Sequence, residues 1–479
     1  MKTCAIIPTY NNVQTVKDIV ERALVYLPVI VVADGPTDGS LEAVRSIDNE
    51  NLTIIAYARN KGKGYALKQG FKKARELGYT HALTMDSDGQ HFPEDIPLLL
   101  RMAAVRPEAI VIGSRELKQD NMPSKNTFAN KFSNFWFMVQ TGFPLPDTQS
   151  GFRVYPLAGT HGINLMTRRY EAELLLLVFS SWANTPIAPV PVRVYYPPKE
   201  QRVTYFKPLR DFTRISILNV FLCILAILYG WPRSHWRFFI YVPVFLATMI
   251  GANIICAAYA LHPTPTAEDK MRRRLSKGAK LLLTGFPMCK YSVKDLSNTS
   301  AEEKQQPCVY VANHTSMLDV VTMITLRDKM VVIGQNWVVN NIFFGYIARA
   351  MGVITVKEGI ESYMPRLEHY VKEGYSIAIF PEGTRSRYGE LLRFHKGACF
   401  VAEKLNMPIQ PILLEGYIQA LPKQPFHVGA AKHMTATILP RILPSDIQWG
   451  VGYRERTKNL RAYYYQLIAH HVNPISTTL

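Results

Sequence analysis

Short apolar runs alternate with longer amphipathic stretches over residues 1 to about 115, and this alternation predicts a parallel β-sheet. The runs are rich in Val and Ile, which is typical of strands covered on both faces. Between the third and fourth runs, Leu67, Phe71 and Ala74 recur at helical spacing, so a helix with one buried face is predicted. The predicted strands are 4–10, 29–35, 52–57, 80–88 and 109–115.

A second pattern of the same kind begins near residue 300. Its predicted strands are 307–313, 330–334, 352–356, 376–383 and 407–416. The two halves do not resemble each other, and the chain has no internal repeat. The sequence therefore predicts an α/β fold class with two different α/β domains fused in one chain.

Two uncharged apolar runs, 215–230 and 238–261, lie in the middle of the chain and are joined by the Trp-rich link WPRSHWR. The second run is long enough to cross about 30 Å of hydrocarbon, whereas the first is marginal and is also open to interpretation as a buried core helix. Two such runs with a short link favour a transmembrane helical hairpin. The predicted boundaries are 1–208 for the first domain, 209–265 for the hairpin and 266–479 for the second domain.

Basic residues are frequent on both flanks of the predicted hairpin and scarce in its link. They are Arg202, Lys207, Arg210 and Arg214 before it, Arg233 and Arg237 in the link, and Lys270, Arg272, Arg273, Arg274 and Lys277 after it. The positive-inside rule then places the protein at the inner (cytoplasmic) membrane with both large domains facing the cytoplasm. The same flanks are expected to meet anionic headgroups.

Composition adds an excess of positive charge, with 55 Lys and Arg against 37 Asp and Glu and a formal net charge of +18. This favours anionic partners such as phosphorylated substrates, acidic lipids or an acidic carrier protein. No nucleic-acid-binding module is recognisable, so nucleic acid is not an expected partner. The six cysteines are scattered, and the first apolar run is too short for a signal peptide, which together indicate a reduced, cytoplasmic setting.

Polar residues follow several strands of the first pattern, where open α/β sheets bind their ligands. Asp86 and Asp88 leave the fourth strand two residues apart, so their carboxylates point in similar directions. Such oxygen ligands suit Mg²⁺ or Mn²⁺ holding a diphosphate, although acidic pairs at strand ends are common in other roles. Asp34 is either a nucleotide ligand or a turn residue, and Lys63 in NKGKG either meets a phosphate or belongs to a plain turn.

Five segments in order, PTYNN, ADGPTDGS, DSDGQH, VIGSR and DTQSGFRVY, resemble glycosyltransferase family 2, most closely its dolichol-phosphate mannosyltransferase-like branch. The resemblance covers about 200 residues. It implies a nucleotide-sugar transferase fold of the GT-A type and transfer of a sugar from a nucleotide diphosphate sugar. The metal would neutralise charge on the departing diphosphate.

This resemblance also implies site residues. They are Asp86, Asp88 and Gln90 for the metal and sugar diphosphate, Arg115 for phosphate, and Pro8, Tyr10 and Asp34 for the nucleotide. The resemblance also implies that Asp88 is a catalytic residue. A hydroxyl acceptor requires a general base, for which Asp147 is the candidate, whereas an ionised lipid phosphate requires none.

The segment VANHTSMLDV, residues 311–320, places His314 after a predicted strand and Asp319 about one turn into the next helix. Two interpretations are open on these residues alone. One is an ordinary strand-to-helix corner. The other is a catalytic dyad, in which the carboxylate holds the imidazole in one tautomer so that it takes a proton from an alcohol.

A further polar segment, FPEGTRSR at 380–387, combines charge, hydroxyls and an approachable backbone, which suits a phosphate. Within it, Glu382 either binds a hydroxyl or pairs with an arginine. Another strand-like run, GVITVKEG, ends near Lys357.

The order N-H-x-x-x-x-D, a strand ending in a basic residue, and F-P-E-G-T-R-S resembles the glycerophospholipid (1-acylglycerol-3-phosphate-like) acyltransferase family over roughly 130 residues. The resemblance implies that His314 is the base and Asp319 its orienting partner. It implies an acceptor site made of Lys357, Glu382, Gly383, Thr384 and Arg385, with lysine at 357 where the family usually has arginine. The donor would be an acyl thioester of acyl carrier protein or coenzyme A.

Together, the two halves predict a bifunctional membrane enzyme of lipid or glycolipid biosynthesis. One domain would transfer a sugar to a membrane lipid or lipid-phosphate acceptor, and the other would transfer an acyl chain to a lipid hydroxyl. The alternative is that one domain is catalytic and the other is a binding module.

Overall fold

A computed structural model describes residues 1–115, 124–160, 171–195, 208–341, 343–355, 360–423 and 428–472. These residues form two compact units. Met1–Ser234 makes up nearly all of the first unit, and His235–His470 makes up the second. The division lies inside the segment that the sequence assigns to the membrane hairpin.

The first unit contains a seven-stranded sheet with helices around it. Its strands are β1 (Thr3–Thr9), β2 (Val29–Asp34), β3 (Leu52–Tyr57), β4 (His81–Thr84), β5 (Ile110–Arg115), β6 (Arg153–Pro156) and β7 (Ile187–Val192). Its helices are α1 (Val16–Leu24), α2 (Ser40–Arg45), α3 (Lys63–Glu76), α4 (Ile96–Val105), α5 (Ser124–Thr141), α6 (Glu171–Trp182) and α7 (Pro208–Leu225).

The strand order in this sheet is β3-β2-β1-β4-β6-β5-β7, and β6 runs antiparallel to both of its neighbours. All five predicted strands are confirmed, whereas β6 and β7 were not predicted. β6 is only four residues long, and β7 contains two prolines, which argue against a strand when sequence alone is considered.

Alternating residues of the first sheet pack into two separate apolar layers. In β1, Cys4 and Ile6 belong to the layer that includes α3, whereas Ala5 and Ile7 belong to the layer that includes α1. A strand whose two faces are both buried must be apolar throughout, which explains the continuous run at the start of the chain. The prediction of a sheet covered on both faces is confirmed.

The second unit contains another seven-stranded sheet. Its strands are β8 (Lys290–Asp295), β9 (Val309–Ala312), β10 (Met330–Gly334), β11 (Ile354–Thr355), β12 (Ser376–Ile379), β13 (Ile409–Glu415) and β14 (His433–Ile438). The helices that follow α7 are α8 (Trp231–Leu261), α9 (Pro265–Thr284), α10 (Ala301–Gln305), α11 (Leu318–Leu326), α12 (Asn336–Val339), α13 (Gly345–Ala350), α14 (Met364–Lys372), α15 (Gly397–Lys404), α16 (Tyr417–Ala420) and α17 (Gly452–Val472).

The strand order in the second sheet is β11-β10-β12-β9-β13-β14-β8, and the first five of these strands are parallel. In the central strand β9, Val309 and Val311 pack on one side of the sheet, whereas Tyr310 and Ala312 pack on the other. The sheet is therefore also covered on both faces. The α/β fold class predicted from the sequence is confirmed in both units.

The segment predicted as a hairpin is different in the structure. Helix α7 continues through a π-helical turn, Ala226–Gly230, directly into α8, and the backbone makes no reversal at the link. The wider π turn immediately before Pro232 is the kind of irregularity that relieves the clash between a proline ring and the preceding turn. Thr213–Leu261 qualifies as one candidate membrane helix by its length and composition.

This long helix has a few buried side chains and many exposed apolar ones. Leu222 and Ala226 are buried in the first unit, and Tyr241 and Cys256 are buried in the second. The large apolar side chains that are half exposed or more include Ile217, Ile224, Ile227, Phe239, Ile250 and Ile254. The prediction that the following basic flank faces headgroups needs one correction, because Arg272 is 2% exposed and lies inside the protein.

Candidate functional sites

The first candidate site lies at the carboxyl ends of β1 and β4. These neighbouring parallel strands are the point where the chain order reverses, since β2 and β3 extend the sheet on one side of β1 and β4 lies on the other. Open α/β sheets bind ligands at this position. Ser87 joins the two strand ends, donating to the carbonyl of Pro8 at 3.1 Å and accepting from the amide of Asn12 at 2.8 Å.

Asp86 is held by a lysine from another element. The Nζ of Lys63, at the start of α3, lies 2.6 Å from Oδ1 of Asp86 and 2.9 Å from Oε2 of Glu173 in α6. Burial works to raise the pKa of Asp86, but the charge and hydrogen bond of Lys63, together with the charges of His91 and Arg153, hold that pKa below its ordinary value. Gly151 also approaches, and a Cβ at that position would lie 2.6 Å from Oδ2 of Asp86.

Asp88 is exposed on one side, while protein atoms surround the rest of its carboxyl group. This burial, together with the negative charge of Asp86, raises the pKa of Asp88 to about 6. The backbone N–H of Gln90 donates to Oδ1 of Asp88 at 3.0 Å. Gly89 between them has a positive φ of 78°, which an L side chain adopts only with strain, so glycine supports this tight turn.

Asp34 has a structural role in the described geometry. Its carboxylate is 3% exposed and accepts hydrogen bonds at 2.8 Å from the backbone N–H groups of Lys61 and Gly62. This contact orients the loop that begins α3 and thereby places Lys63 against Asp86. Of the two interpretations of Asp34, the geometry favours the turn residue. Tyr10, also predicted at the nucleotide, lies half buried just after β1.

The predicted base, Asp147, is held in a dense set of hydrogen bonds. Its oxygens accept from the side chain of Arg115 at 2.6 and 2.9 Å and from Asn130 at 2.8 Å. Burial works to raise the pKa of Asp147, but the hydrogen bonds and charge of Arg115 hold it below its ordinary value. A carboxylate so placed accepts protons poorly, which favours a positioning role for Asp147 over the predicted role as a base. Arg115, which was predicted to contact phosphate, therefore forms an ion pair with Asp147 in the structure.

Among the residues that the structure describes, no group of three or more His, Cys, Asp or Glu side chains is arranged to hold a metal ion. The arrangement nevertheless suits a cation, because the Lys63 ammonium already lies between the carboxylates of Asp86 and Glu173. If Asp86, Asp88 and the amide of Gln90 hold a metal ion, diphosphate oxygens or water molecules would have to supply its remaining ligands. Mg²⁺ generally retains several of its waters.

The second candidate site lies at the carboxyl ends of β9 and β12. His314 follows β9, and its Nδ1 lies 2.9 Å from Oδ2 of Asp319 in the first turn of α11. The same oxygen accepts from the backbone N–H groups of Thr315 at 2.6 Å and Ser316 at 2.7 Å. Asp319 is fully buried, and these hydrogen bonds hold its carboxylate in place at the start of α11. The structure brings the predicted pair together.

The imidazole of His314 has a defined plane. It stacks on the ring of Phe380, with centroids 4.1 Å apart and an angle of 22° between the planes. With Nδ1 bound to the carboxylate, Nε2 is the nitrogen that can take a proton. Phe380 is the first residue of FPEGTRSR, and its packing role was not predicted from the sequence.

Glu382 supports this histidine and does not extend toward an acceptor. Its side chain is 3% exposed, Oε1 accepts from the backbone N–H of His314 at 2.7 Å, and Oε2 accepts from that of Leu392 at 2.9 Å. Burial raises the pKa of Glu382 to about 7, although these two hydrogen bonds oppose the shift. Neither open interpretation of Glu382 matches this contact, since it holds backbone and not a hydroxyl or an arginine.

The rest of the predicted acceptor segment is more accessible. Gly383 and Thr384 are exposed, and Arg385 is half buried, with a guanidinium that makes no hydrogen bond or ion pair in the described part of the chain. Lys423, which the sequence analysis missed, donates to Oγ1 of Thr384 at 2.9 Å and to the carbonyl of Arg385 at 3.0 Å. Lys357 lies outside the described residues.

Glu173 and Lys423 join these sites from distant parts of the chain. No local sequence pattern marks them, because each is brought into place by a helix or loop remote from the motif it contacts. Gly151 and Phe380, by contrast, belong to the motifs DTQSGFRVY and FPEGTRSR and were identifiable as neighbours of the sites.

Comparison with known proteins gives two family matches. Residues 4–158 match the model for glycosyl transferase family 2, and residues 291–415 match the model for acyltransferase. A UDP-N-acetylglucosamine–dolichyl-phosphate N-acetylglucosaminyltransferase of Methanococcus voltae is 30% identical over 214 residues, which cover 40% of this chain and 84% of that protein. An undecaprenyl-phosphate mannosyltransferase of Micrococcus luteus is 31% identical, covering 34% of this chain and 70% of that protein.

For the second half, a chloroplastic 1-acyl-sn-glycerol-3-phosphate acyltransferase of Brassica napus is 33% identical over 168 residues, covering 34% of this chain. The chain spans about half of that relative, 48% of its length. Among solved structures, the acyltransferase PlsC of Thermotoga maritima is similar with a TM-score of 0.40 and 17% identity, covering 51% of this chain and 95% of that one. The chain thus belongs to glycosyltransferase family 2 through its first domain and carries an acyltransferase-family domain as its second.

Proposed function

We propose that this protein is a bifunctional enzyme of lipid biosynthesis that transfers a sugar with its first domain and an acyl chain with its second. The observation that carries the proposal is the pair formed by His314 and Asp319, at 2.9 Å, in a chain whose first domain keeps its acidic motif at the switch point of its sheet. A chain with one degenerate domain has no need to retain both arrangements.

For acyl transfer, the proposed base is Nε2 of His314. It takes the proton of a lipid hydroxyl while the hydroxyl oxygen attacks the thioester carbonyl, and the imidazolium that forms is stabilised by Asp319. The C–S bond then breaks, and the departing thiolate receives the proton from His314. Glu382 keeps the histidine backbone in place, and the free guanidinium of Arg385 suits a phosphate on the acceptor.

For sugar transfer, the proposed ligands of Mg²⁺ or Mn²⁺ are Asp86, Asp88 and Gln90. The cation would supply positive charge for the diphosphate that leaves the sugar. Lys63 contributes a second positive charge beside Asp86. The geometry offers no available base at Asp147, and this favours an acceptor that is already ionised, such as a lipid phosphate. The two glycosyltransferase relatives are named for dolichyl-phosphate and undecaprenyl-phosphate.

The donor of the acyl chain is proposed to be a thioester of acyl carrier protein or coenzyme A. Both are anionic, and the net charge of +18 favours either. The sugar donor is proposed to be a nucleotide diphosphate sugar.

We place the protein at the cytoplasmic membrane with both domains on the cytoplasmic side. Support comes from the apolar exposed side of the helix between Thr213 and Leu261, on which Phe239 is 72% and Ile254 64% exposed. Apolar side chains arranged along one side of a helix are stable in contact with lipid and costly in water. The basic residues on both flanks of this segment support placing both of its ends on the cytoplasmic side.

The proposal is tested with purified full-length protein, labelled nucleotide sugars and acyl thioesters. Asp88→Ala should abolish sugar transfer and leave acyl transfer intact, and His314→Ala should do the reverse. Asp48→Ala and His433→Ala, which remove exposed side chains of the same types, are the matched controls and should leave both transfers unchanged. Acyl transfer that persists in His314→Ala would refute the base assignment. Sugar transfer that persists in Asp88→Ala would refute the role of Asp88, and absence of sugar transfer by the unchanged protein would identify the first domain as a binding module.

A further inference from the structure

The second unit contains a cavity of about 630 Å³ away from the His314 site. It is lined by parts of α8, α9, α13 and α14, and Gly352 in its wall lies just before β11. His314 and Glu382 follow the carboxyl ends of β9 and β12. Since these strands are parallel to β11 through β10, the cavity lies at the opposite edge of the sheet, at least one strand length, roughly 15 Å, from the histidine.

The floor of the cavity is an ion pair between Arg272, which is buried, and Glu268, which is partly exposed. Arg272 donates to Oε1 of Glu268 at 2.9 Å and to the carbonyls of Met330 and Met351 at 3.3 and 3.4 Å. Glu268 also accepts from the hydroxyl of Tyr375 at 2.9 Å. These contacts satisfy both charges and keep the floor rigid, so Arg272 and Glu268 together add little net charge to the cavity.

The mouth of the cavity has charge that the floor does not balance. Arg349 and Arg366 line it, with His369 beside them, and all three are exposed. Arg349 uses one of its donors on the carbonyl of Val339, and Arg366 has no ion pair within the part of the chain that the structure describes. Counting the floor, three arginines face one glutamate, a net charge of +2 with histidine neutral.

The cavity also adjoins the apolar helix. Tyr259, two residues before the end of α8, contributes to its wall, and its hydroxyl lies 3.5 Å from Oε2 of Glu268. On the outer side of the same helix, Ile254 and Leu261 are 64% and 76% exposed. An arginine-lined cavity against a helix with exposed apolar side chains matches a molecule with an anionic head and an apolar tail.

We propose that this cavity binds the phosphate headgroup of an anionic glycerophospholipid, as a site separate from the acyl acceptor site. The guanidinium groups of Arg349 and Arg366 bind the phosphate, and the acyl chains lie along the exposed side of α8. The headgroup thereby fixes the second unit against the membrane surface at the sheet edge opposite His314.

The test uses the full-length protein in a neutral detergent and dihexanoyl phosphatidylglycerol, with binding measured by titration calorimetry and by the rise in the unfolding midpoint that a bound ligand causes. Dihexanoyl phosphatidylcholine and inorganic phosphate are run beside it. The expected result is saturable binding of phosphatidylglycerol. Replacing both arginines, Arg349→Gln with Arg366→Gln, should weaken this binding about tenfold or more. Arg274→Gln, which removes an exposed arginine of α9 outside the cavity, should not weaken it.

Three outcomes would overturn the proposal. Equal weakening by Arg274→Gln would show general attraction of lipid to a basic surface. Equal affinity for phosphatidylcholine would exclude an anionic headgroup site, and equal affinity for inorganic phosphate would show that the lipid part contributes nothing. Binding of phosphatidylglycerol must also persist in His314→Ala, since loss of binding in this variant would place the lipid at the catalytic site. This measurement does not depend on either transferase activity.

Discussion

The Nζ of Lys63 lies 2.6 Å from Oδ1 of Asp86, and the same ammonium lies 2.9 Å from Glu173. The first residue of one helix therefore neutralises a carboxylate after β4 and another in α6. Lys63 was predicted as a phosphate-contacting residue, and in the described geometry its contacts are with the acidic motif.

Lys63→Met should leave Asp86 and Glu173 without their shared counter-charge. We expect the free energy of unfolding to fall by about 2 kcal/mol, because two partly buried carboxylates repel each other and lose a charged donor. Added Mn²⁺ should raise the unfolding midpoint more in Lys63→Met than in the unchanged protein, since it replaces the missing charge. Lys68→Met, on the exposed side of the same helix, is the control. An unchanged stability would show that the contact is energetically unimportant.

Asp319→Asn should lower kcat for acyl transfer by about a thousandfold, since an amide cannot stabilise an imidazolium and favours the wrong tautomer. Sugar transfer in the same preparation should be unaffected and serves as the internal control. Asp328→Asn, at an exposed aspartate after α11, should retain both activities. Full acyl transfer in Asp319→Asn would leave the structural corner as the better interpretation of VANHTSMLDV.

Asp147→Asn distinguishes a positioning residue from a base. Arg115 and Asn130 donate to this carboxylate, so its loss should destabilise the protein by about 3 kcal/mol and lower sugar transfer. The pH dependence of the remaining kcat/KM for sugar transfer should keep its shape, because Asp147 takes no proton from the acceptor. Disappearance of the acid limb of that profile in Asp147→Asn would restore the base assignment.

The raised pKa of Glu382 leads us to expect that the stability of the folded protein depends on pH. Its pKa is raised in the folded protein to about 7, above the ordinary value of 4.5, so folding favours its protonated form. This contribution to stability is complete below about pH 4.5 and is lost as the pH rises through about 7. In Glu382→Gln, the decline of the unfolding midpoint between pH 5 and pH 8 should be shallower than in the unchanged protein. Glu373→Gln, at an exposed glutamate, is the control, and equal slopes in all three proteins would contradict the prediction.

Much of the fold followed from the sequence alone. The predicted strands at β1, β2, β9 and β13 are buried on both faces, and such strands must be continuously apolar, which makes them visible in a single sequence. The pairing of His314 with Asp319 was also within reach, because a strand end followed by a helix start brings residues five apart together.

Other features were decided only in three dimensions. β7 was missed because its prolines argue against a strand unless its neighbour is known, and the predicted hairpin gave way to a continuous helix whose irregular turn accommodates Pro232. The sequence determined which residue types stand at the strand ends. Only the tertiary structure decided that Asp147 is held by Arg115, that Glu382 holds the backbone of His314, and that Glu173 meets Lys63, since each contact joins elements far apart in the chain.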